Sequence, residues 1–256
     1  MKLSERIAVI TGADSGIGQA TAALFAREGA NVLVGYHTDA DGAAQTARMV
    51  EGAGRRALVV QVDVGDPASV DAFFARGQAE LGTPDVLVAN AGQAMSGIPV
   101  AEMDDAKMEQ ILRTDLMGPV FCARPFIRAR KGAGGRGRIV MIGSVAGHLP
   151  TPESAPYGMA KAGVNSLVRS LSRELAADRI NVNAVAPGLI QTPMTQKRLD
   201  DPAAREKSMQ AIPWERPGQP EEIAEVVLFL AADTGDYVTG QTWVMDGGLT
   251  MHWGGA

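Results

Sequence analysis

Short runs of aliphatic and β-branched residues alternate with longer, helix-patterned stretches along nearly the whole chain. That alternation restricts the fold more than any other feature. Ile7-Ala-Val-Ile10, Val32-Leu-Val34, Leu58-Val-Val-Gln-Val62, Val86-Leu-Val88 and Ile139-Val-Met-Ile142 read as buried strands. Ile180-Asn-Val-Asn-Ala-Val185 and Thr242-Trp-Val-Met245 make two more. Between strands, Ile17, Ala20, Thr21, Leu24 and Phe25 form one stripe at helical spacing. Ile223, Val226, Val227 and Leu230 repeat that spacing after Pro220-Glu-Glu, a favourable first turn. The pattern predicts an α/β fold: one doubly wound parallel sheet of about seven strands, with helices on both faces. No linker divides the chain, so residues 1–256 read as a single domain. Pro193 to Gln219 departs from the pattern, with charges, prolines and weak periodicity. It reads as a loop with a short helix, and a mobile substrate loop is expected at about 193–215.

Composition narrows the partners. Lys and Arg number 24 against 29 Asp and Glu, a net charge of −5 that argues against nucleic acid. The local basic cluster, Arg128, Arg130, Lys131, Arg136 and Arg138, reads as a solvated helix end and loop. The opening residues carry charge before any apolar run, so no secretory leader is expected. No stretch approaches the ~18 apolar residues of a membrane span. Cys122 is the single cysteine, and His37, His148 and His252 are scattered without ligand spacing. A cytoplasmic location and no metal site are expected.

The first strand runs into Thr11-Gly-Ala-Asp-Ser-Gly-Ile-Gly18 and directly on into the first helix. Glycines permit a tight turn and let a diphosphate approach the backbone, and the helix start offers unpaired N–H groups. Gly12, Asp14, Ser15, Gly16, Ile17 and Gly18 are therefore candidate cofactor contacts; a plain turn is the alternative. Further along, Tyr157-Gly-Met-Ala-Lys161 begins a helix expected over Tyr157 to Ala177. Residues i and i+4 share a helix face, so the phenol and the ammonium project together. Ser144 ends the fifth strand thirteen residues earlier. Parallel strands present such ends to a ligand crevice, where Ser144, Tyr157 and Lys161 can converge.

Taken together, these motifs resemble the short-chain dehydrogenase/reductase family, whose turn reads Thr-Gly-xxx-Gly-Ile-Gly. The likeness covers almost the whole chain. It implies a Rossmann-type sheet in the order 3-2-1-4-5-6-7, a homotetramer, and a nicotinamide dinucleotide. Asp63 and Val64 match the family's adenine contact, and Asn90-Ala91-Gly92 its Asn-Ala-Gly element. Pro187-Gly-Leu-Ile-Gln-Thr192 matches the stretch that binds the nicotinamide amide, through Pro187, Gly188, Ile190 and Thr192. Tyr157 would exchange a proton with substrate, Lys161 would hold the nicotinamide ribose, and Ser144 would bind the substrate oxygen. A free tyrosine has a pKa of ~10, roughly three units above neutrality; a neighbouring Lys⁺ and the positive nicotinamide ring favour the phenolate.

One position departs from the family. Arg113-Thr-Asp115-Leu-Met-Gly118 carries Asp115 where family members place an asparagine that anchors a proton-relay water. A carboxylate accepts hydrogen bonds but lacks the amide's donors. Asp115 is expected either to support the relay with altered pH dependence or to be structural, paired with a backbone N–H.

At the end of the second strand, Tyr36 occupies the place of an acidic residue that would repel a 2′-phosphate, and His37 follows. NADP is favoured, with NAD as the alternative; Asp39 and Asp41 are read as the start of the next helix. Ile212 to Glu222, Tyr237-Val-Thr-Gly240 and Asp246-Gly-Gly-Leu-Thr250 resemble the glucose 1-dehydrogenase-like branch. The resemblance implies a small-molecule secondary alcohol of sugar or polyol type. The alternatives are a ketoacyl or small-ketone reductase, or a weakly catalytic nicotinamide-binding regulatory module. Gln93, Met95, His148, Glu153, Met194 and Trp214 are candidate pocket positions, with packing or surface roles as alternatives. Met251 to Ala256 is apolar enough to dock on another subunit.

Overall fold

The computed structural model describes residues 1–94 and 97–251. Its strands are β1 (Ile7–Ile10), β2 (Asn31–Tyr36), β3 (Ala57–Gln61), β4 (Val86–Ala89), β5 (Gly137–Ile142), β6 (Ile180–Pro187) and β7 (Thr242–Met245). They form one parallel sheet in the order β3-β2-β1-β4-β5-β6-β7. The expected strands are all present, several of them a residue or two longer than their apolar runs.

The helices are α1 (Gly16–Arg27), α2 (Ala40–Gly52), α3 (Pro67–Glu80), α4 (Asp105–Leu112), α5 (Gly118–Gly132), α6 (Ala155–Glu174), α7 (Pro193–Asp200), α8 (Pro202–Ala211) and α9 (Pro220–Ala231). They cover both faces of the sheet, as the alternation requires. Ala8, Ile10, Val32, Val34, Val86, Val88 and Val140 face one core, closed by Leu24 and Phe25 of α1, Val50 of α2 and Val227 and Leu230 of α9. Their sequence neighbours Val9, Leu33, Leu87, Ile139 and Met141 face the other, closed by Phe73 of α3, Phe126 of α5 and Val164 and Val168 of α6. The period-two geometry of a strand thus divides each apolar run between two cores.

Three local features differ from the sequence reading. The 193–215 segment is mostly helical and holds two helices. Thr192 and Thr195 form a capping box ahead of Pro193, and Asp201 caps Ala203 and Ala204 ahead of Pro202. Each start therefore has a side-chain cap and a proline in its first turn. The helix carrying Tyr157 begins earlier, at Ala155, and ends at Glu174. The basic cluster is not simply solvated. Arg138 is buried in β5 and paired with Asp236, while Arg130 meets Asp85 at 3.1 Å and Lys131 meets Asp178 at 2.9 Å. Among the described residues, no helix is long and apolar enough to cross a membrane.

Between α4 and α5 the chain widens into one π-helical turn, Arg113–Met117. Such turns are rare and cluster at functional sites. This one turns Asp115 fully into the interior, towards the ends of β4 and β5.

Candidate active site

β1 and β4 are neighbours, but their following connections leave for opposite faces of the sheet, α1 on one side and α4–α5 on the other. Their C-terminal ends therefore border a crevice. Thr11 bridges it: its hydroxyl oxygen accepts the backbone N–H groups of Asn90 and Ala91, each at 3.1 Å. The Asn90 amide donates back to the carbonyls of Thr11 and Gly12 at 2.9 and 2.8 Å. Four hydrogen bonds thus fix the glycine turn against the end of β4.

The turn is shaped for close approach. Gly12 has φ +61°, and a side chain there would put its Cβ 2.9 Å from the Ala91 Cα. Gly18 sits behind the turn, where a Cβ would collide with the Gly12 carbonyl oxygen. Ser15 precedes α1 without capping it through its side chain, whereas Asp39 and Asp66 cap α2 and α3. The α1 start therefore keeps the unpaired N–H groups that suit a diphosphate.

At one end of the cavity lie Asp14, Tyr36, His37, Thr38, Asp63 and Val64. Asp63 accepts the Gly65 N–H at 2.8 Å. Burial raises the Asp14 carboxyl above its usual range; a hydrogen bond from its own backbone and the charge of His37 pull it back, while Asp39 adds to the rise. Asp39 accepts the Gly42 N–H at the head of α2, as its place in the sequence suggests.

At the other end, β5 delivers Ser144, β6 delivers Pro187 and Gly188, and α6 delivers Tyr157 and Lys161. Ser144 caps a short 3-10 turn, accepting the Ala146 N–H at 3.1 Å, which leaves its O–H free to donate. Lys161 is buried, with Nζ 5.5 Å from the Tyr157 ring centre. The ammonium donates to the Ile142 carbonyl at 3.2 Å and pairs with the Asp115 carboxylate at 3.1 Å. Asp115 also accepts the Gln93 N–H at 3.0 Å. Burial works against the Lys161 charge, but Asp115 and Tyr157 outweigh it and hold the ammonium above its ordinary pKa. Asp115 thus has the backbone N–H partner of the structural alternative, and it also faces the charge of Lys161.

The cavity holds about 750 Å³, within the range of small-molecule sites. Gly12, Asp14, Ser15, Gly16, Ile17, Tyr36, His37, Asp63, Val64, Asn90, Ala91, Gly92, Asp115, Ser144, Tyr157, Lys161, Pro187, Gly188, Ile190 and Thr192 all line it. Gly18 does not, since its part is to let α1 pack on the turn. Of the candidate pocket positions, Gln93 and Met194 line the cavity. His148 turns away, its Nε2 lying 3.3 Å from the Asn165 amide. Trp214 lines a separate cleft beside Arg216 and Gly247, Glu153 lies on an exposed turn at φ +59°, and Met95 falls outside the described residues. Sequence reasoning did not single out Thr11, although it opens the glycine motif, or Arg113, which donates to the Gly65 carbonyl at 3.0 Å.

The family model described as enoyl-(acyl carrier protein) reductase matches residues 12–250. The cis-4-hydroxycyclohexanecarboxylate dehydrogenase of Sinomonas cyclohexanicum is 44% identical over 96% of this chain and 97% of its own length. The glucose 1-dehydrogenase of Gluconobacter oxydans is 35% identical over 95% of this chain and 91% of its own. The crystal structure of acetoin dehydrogenase from Enterobacter cloacae superposes with a TM-score of 0.90 at 38% identity, covering 98% of each chain. The chain belongs to the short-chain dehydrogenase/reductase family. It is a nicotinamide-dependent oxidoreductase that acts on CH–OH groups and interconverts secondary alcohols and carbonyls.

The Asn90 anchor generates a prediction. Asn90→Ala removes both amide hydrogen bonds to the glycine turn, at roughly 1 kcal/mol each. Nucleotide binding should weaken about tenfold or more in a fluorescence titration with NADPH and NADH. Unchanged dissociation constants for both would show that the turn holds its shape without Asn90.

Proposed function

We propose that the protein interconverts a sugar- or polyol-type secondary alcohol and its carbonyl, with Tyr157 as general acid/base and NADP favoured over NAD. The observation that carries this reading is the meeting of Ser144, Tyr157 and Lys161 in one cavity that the glycine turn also lines. A bound nicotinamide ring supplies the hydride acceptor for oxidation or the donor for reduction; the remaining chemistry belongs to the chain. Gly12, Ser15, Gly16 and Ile17 would receive the diphosphate, Asp63 and Val64 the adenine, and Pro187, Gly188, Ile190 and Thr192 the nicotinamide amide, with Asp14 beside the adenosine. Asn90, Ala91 and Gly92 form the floor between them, and Lys161 holds the ribose.

Ser144 donates its O–H to the substrate oxygen and stabilises charge developing there. In oxidation, the alcohol proton passes to the Tyr157 oxygen as the C–H hydride leaves. In reduction, Tyr157 returns a proton to the carbonyl oxygen. We assign the segment that begins with α7 as the mobile cover over the substrate, since Met194 and Thr195 of α7 line the cavity. Cyclic hydroxy acids and acyloins join sugars and polyols as substrates to be tried, after the relatives' names. A ketoacyl thioester is the second reading, supported by relatives named 3-oxoacyl-[acyl-carrier-protein] reductase.

Tyr157→Phe should lower turnover at least a hundredfold while leaving NADPH binding within about twofold. Turnover would be followed by nucleotide absorbance across sugars, polyols, cyclic hydroxy acids, acyloins and ketoacyl thioesters. Retained turnover would remove Tyr157 from the proton-transfer role. Nucleotide binding without turnover on any of these substrates in wild type would favour a regulatory module.

The NADP preference rests on Tyr36 and His37 at the adenosine end, where a carboxylate would repel the 2′-phosphate. His37→Glu should weaken NADPH binding about tenfold or more and leave NADH binding nearly unchanged, read by the same titration. Equal loss for both nucleotides would overturn the assignment.

A homotetramer is supported by β7, an edge strand with exposed Trp243 and Val244. An uncovered apolar edge invites pairing with a second copy. Light scattering should give four chains for wild type and a smaller mass for Val244→Lys; a wild-type monomer would refute the assembly. A cytoplasmic location suits a chain whose lone, buried Cys122 can form no internal disulfide.

A further inference from the structure

Lys161 and Asp115 form an ion pair beside Tyr157, with 6% and 0% of their side chains exposed. Two opposite charges held 3.1 Å apart away from water partly cancel, so the field of the ammonium at the nearby phenol is weakened by its partner. The pair is also fixed in place. Lys161 is tied to the Ile142 carbonyl at 3.2 Å and Asp115 to the Gln93 N–H at 3.0 Å. A Cβ on Gly92 would lie 2.7 Å from Asp115 Oδ1, so the backbone closes over the carboxylate.

The elements packed on α6 carry other ionisable groups. α4 holds Asp105, Lys107 and Glu109, the π turn holds Arg113, and His148 follows the 3-10 turn Val145–Gly147. Asp105 and Glu109 are exposed, Lys107 reaches Gln110, Arg113 points at Gly65, and His148 meets Asn165. Asp115 is the carboxylate that pairs with Lys161.

We propose that Asp115 is a positioning residue that restrains ionisation of Tyr157 by taking up the charge of Lys161, and so confines alcohol oxidation to more alkaline pH than carbonyl reduction. Oxidation needs the phenolate to accept the alcohol proton; reduction needs the phenol to give one. A carboxylate that opposes the phenolate therefore favours the reductive half of the pH range. The consequence for catalysis rests on the proton-transfer role of Tyr157, but the electrostatic effect itself does not.

The test reads both levels separately. The chain has three tyrosines, Tyr36, Tyr157 and Tyr237. Subtracting the Tyr157→Phe curve from a phenolate absorbance titration therefore isolates Tyr157, without cofactor or turnover. In Asp115→Asn, and in Asp115→Ser should the first variant fail to fold by circular dichroism, the Tyr157 step should move about one pH unit lower. The acidic limb of alcohol oxidation should move with it, and Asp115→Glu, which keeps the charge, should leave it within a few tenths of a unit. A Tyr157 step that coincides with wild type in the charge-neutral variants overturns the proposal. A shifted step without turnover on any substrate would fail the dehydrogenase reading and leave the electrostatic one standing.

Discussion

The reversal of the sheet between β1 and β4 is the constraint on which the site depends. Adjacent parallel strands whose connections leave for opposite faces cannot close their C-terminal ends with a common loop. The gap is spanned by the four hydrogen bonds among Thr11, Gly12, Asn90 and Ala91. Those bonds hold the glycine turn open towards the cavity and place the uncapped start of α1 beneath it. The cavity follows that line, from Tyr36 and His37 at one end to Tyr157 and Lys161 at the other.

The Lys161–Asp115 pair shows what the interior requires of the chemistry. Moving an ammonium out of water costs several kcal/mol, and an attractive partner must offset it. A neutral amide at position 115 would leave that cost to the Ile142 carbonyl and whatever solvent or cofactor reaches the cavity. The carboxylate offsets it within the chain, at the expense of the positive field that Tyr157 would otherwise feel. Stability of the charged lysine and activation of the tyrosine are thus in opposition at one atom pair. Asp115 enters this opposition from the π turn, of which it is the buried residue.

Much of this was legible in the residues, and what escaped did so for physical reasons. Strands buried on both faces appear as unbroken aliphatic runs, so β1, β4 and β5 could be read directly. The Tyr157–Lys161 spacing placed both groups on one face of α6, and Ser144 stands just past the end of β5, two residues beyond Ile142. Local periodicity could not place Arg138, because its charge looks solvated until Asp236, almost a hundred residues on, is seen beside it. Nor could it turn His148 towards Asn165, a contact between two elements. Of α7 and α8 only one short helix was expected, because their polar faces blur the apolar period; the Asp201-Pro202 start was the signal for the second.

Arg138 and Lys161 make an instructive contrast. Both are buried cations, and both pair with a carboxylate from another element. Arg138 lies near the N-terminal end of β5, where Asn181 and Asp236 take its donors. Its partner Asp236 is more than half exposed, so solvent screens that pair. Lys161 lies at the opposite end, where the strands stop short and leave a cavity. Its partner Asp115 is sealed from water, while Tyr157, the group that feels the pair, faces the open space. A buried pair can tune a reacting group only where the fold leaves room for a substrate beside it. In a parallel sheet with this reversal, that room lies at the C-terminal ends of the strands.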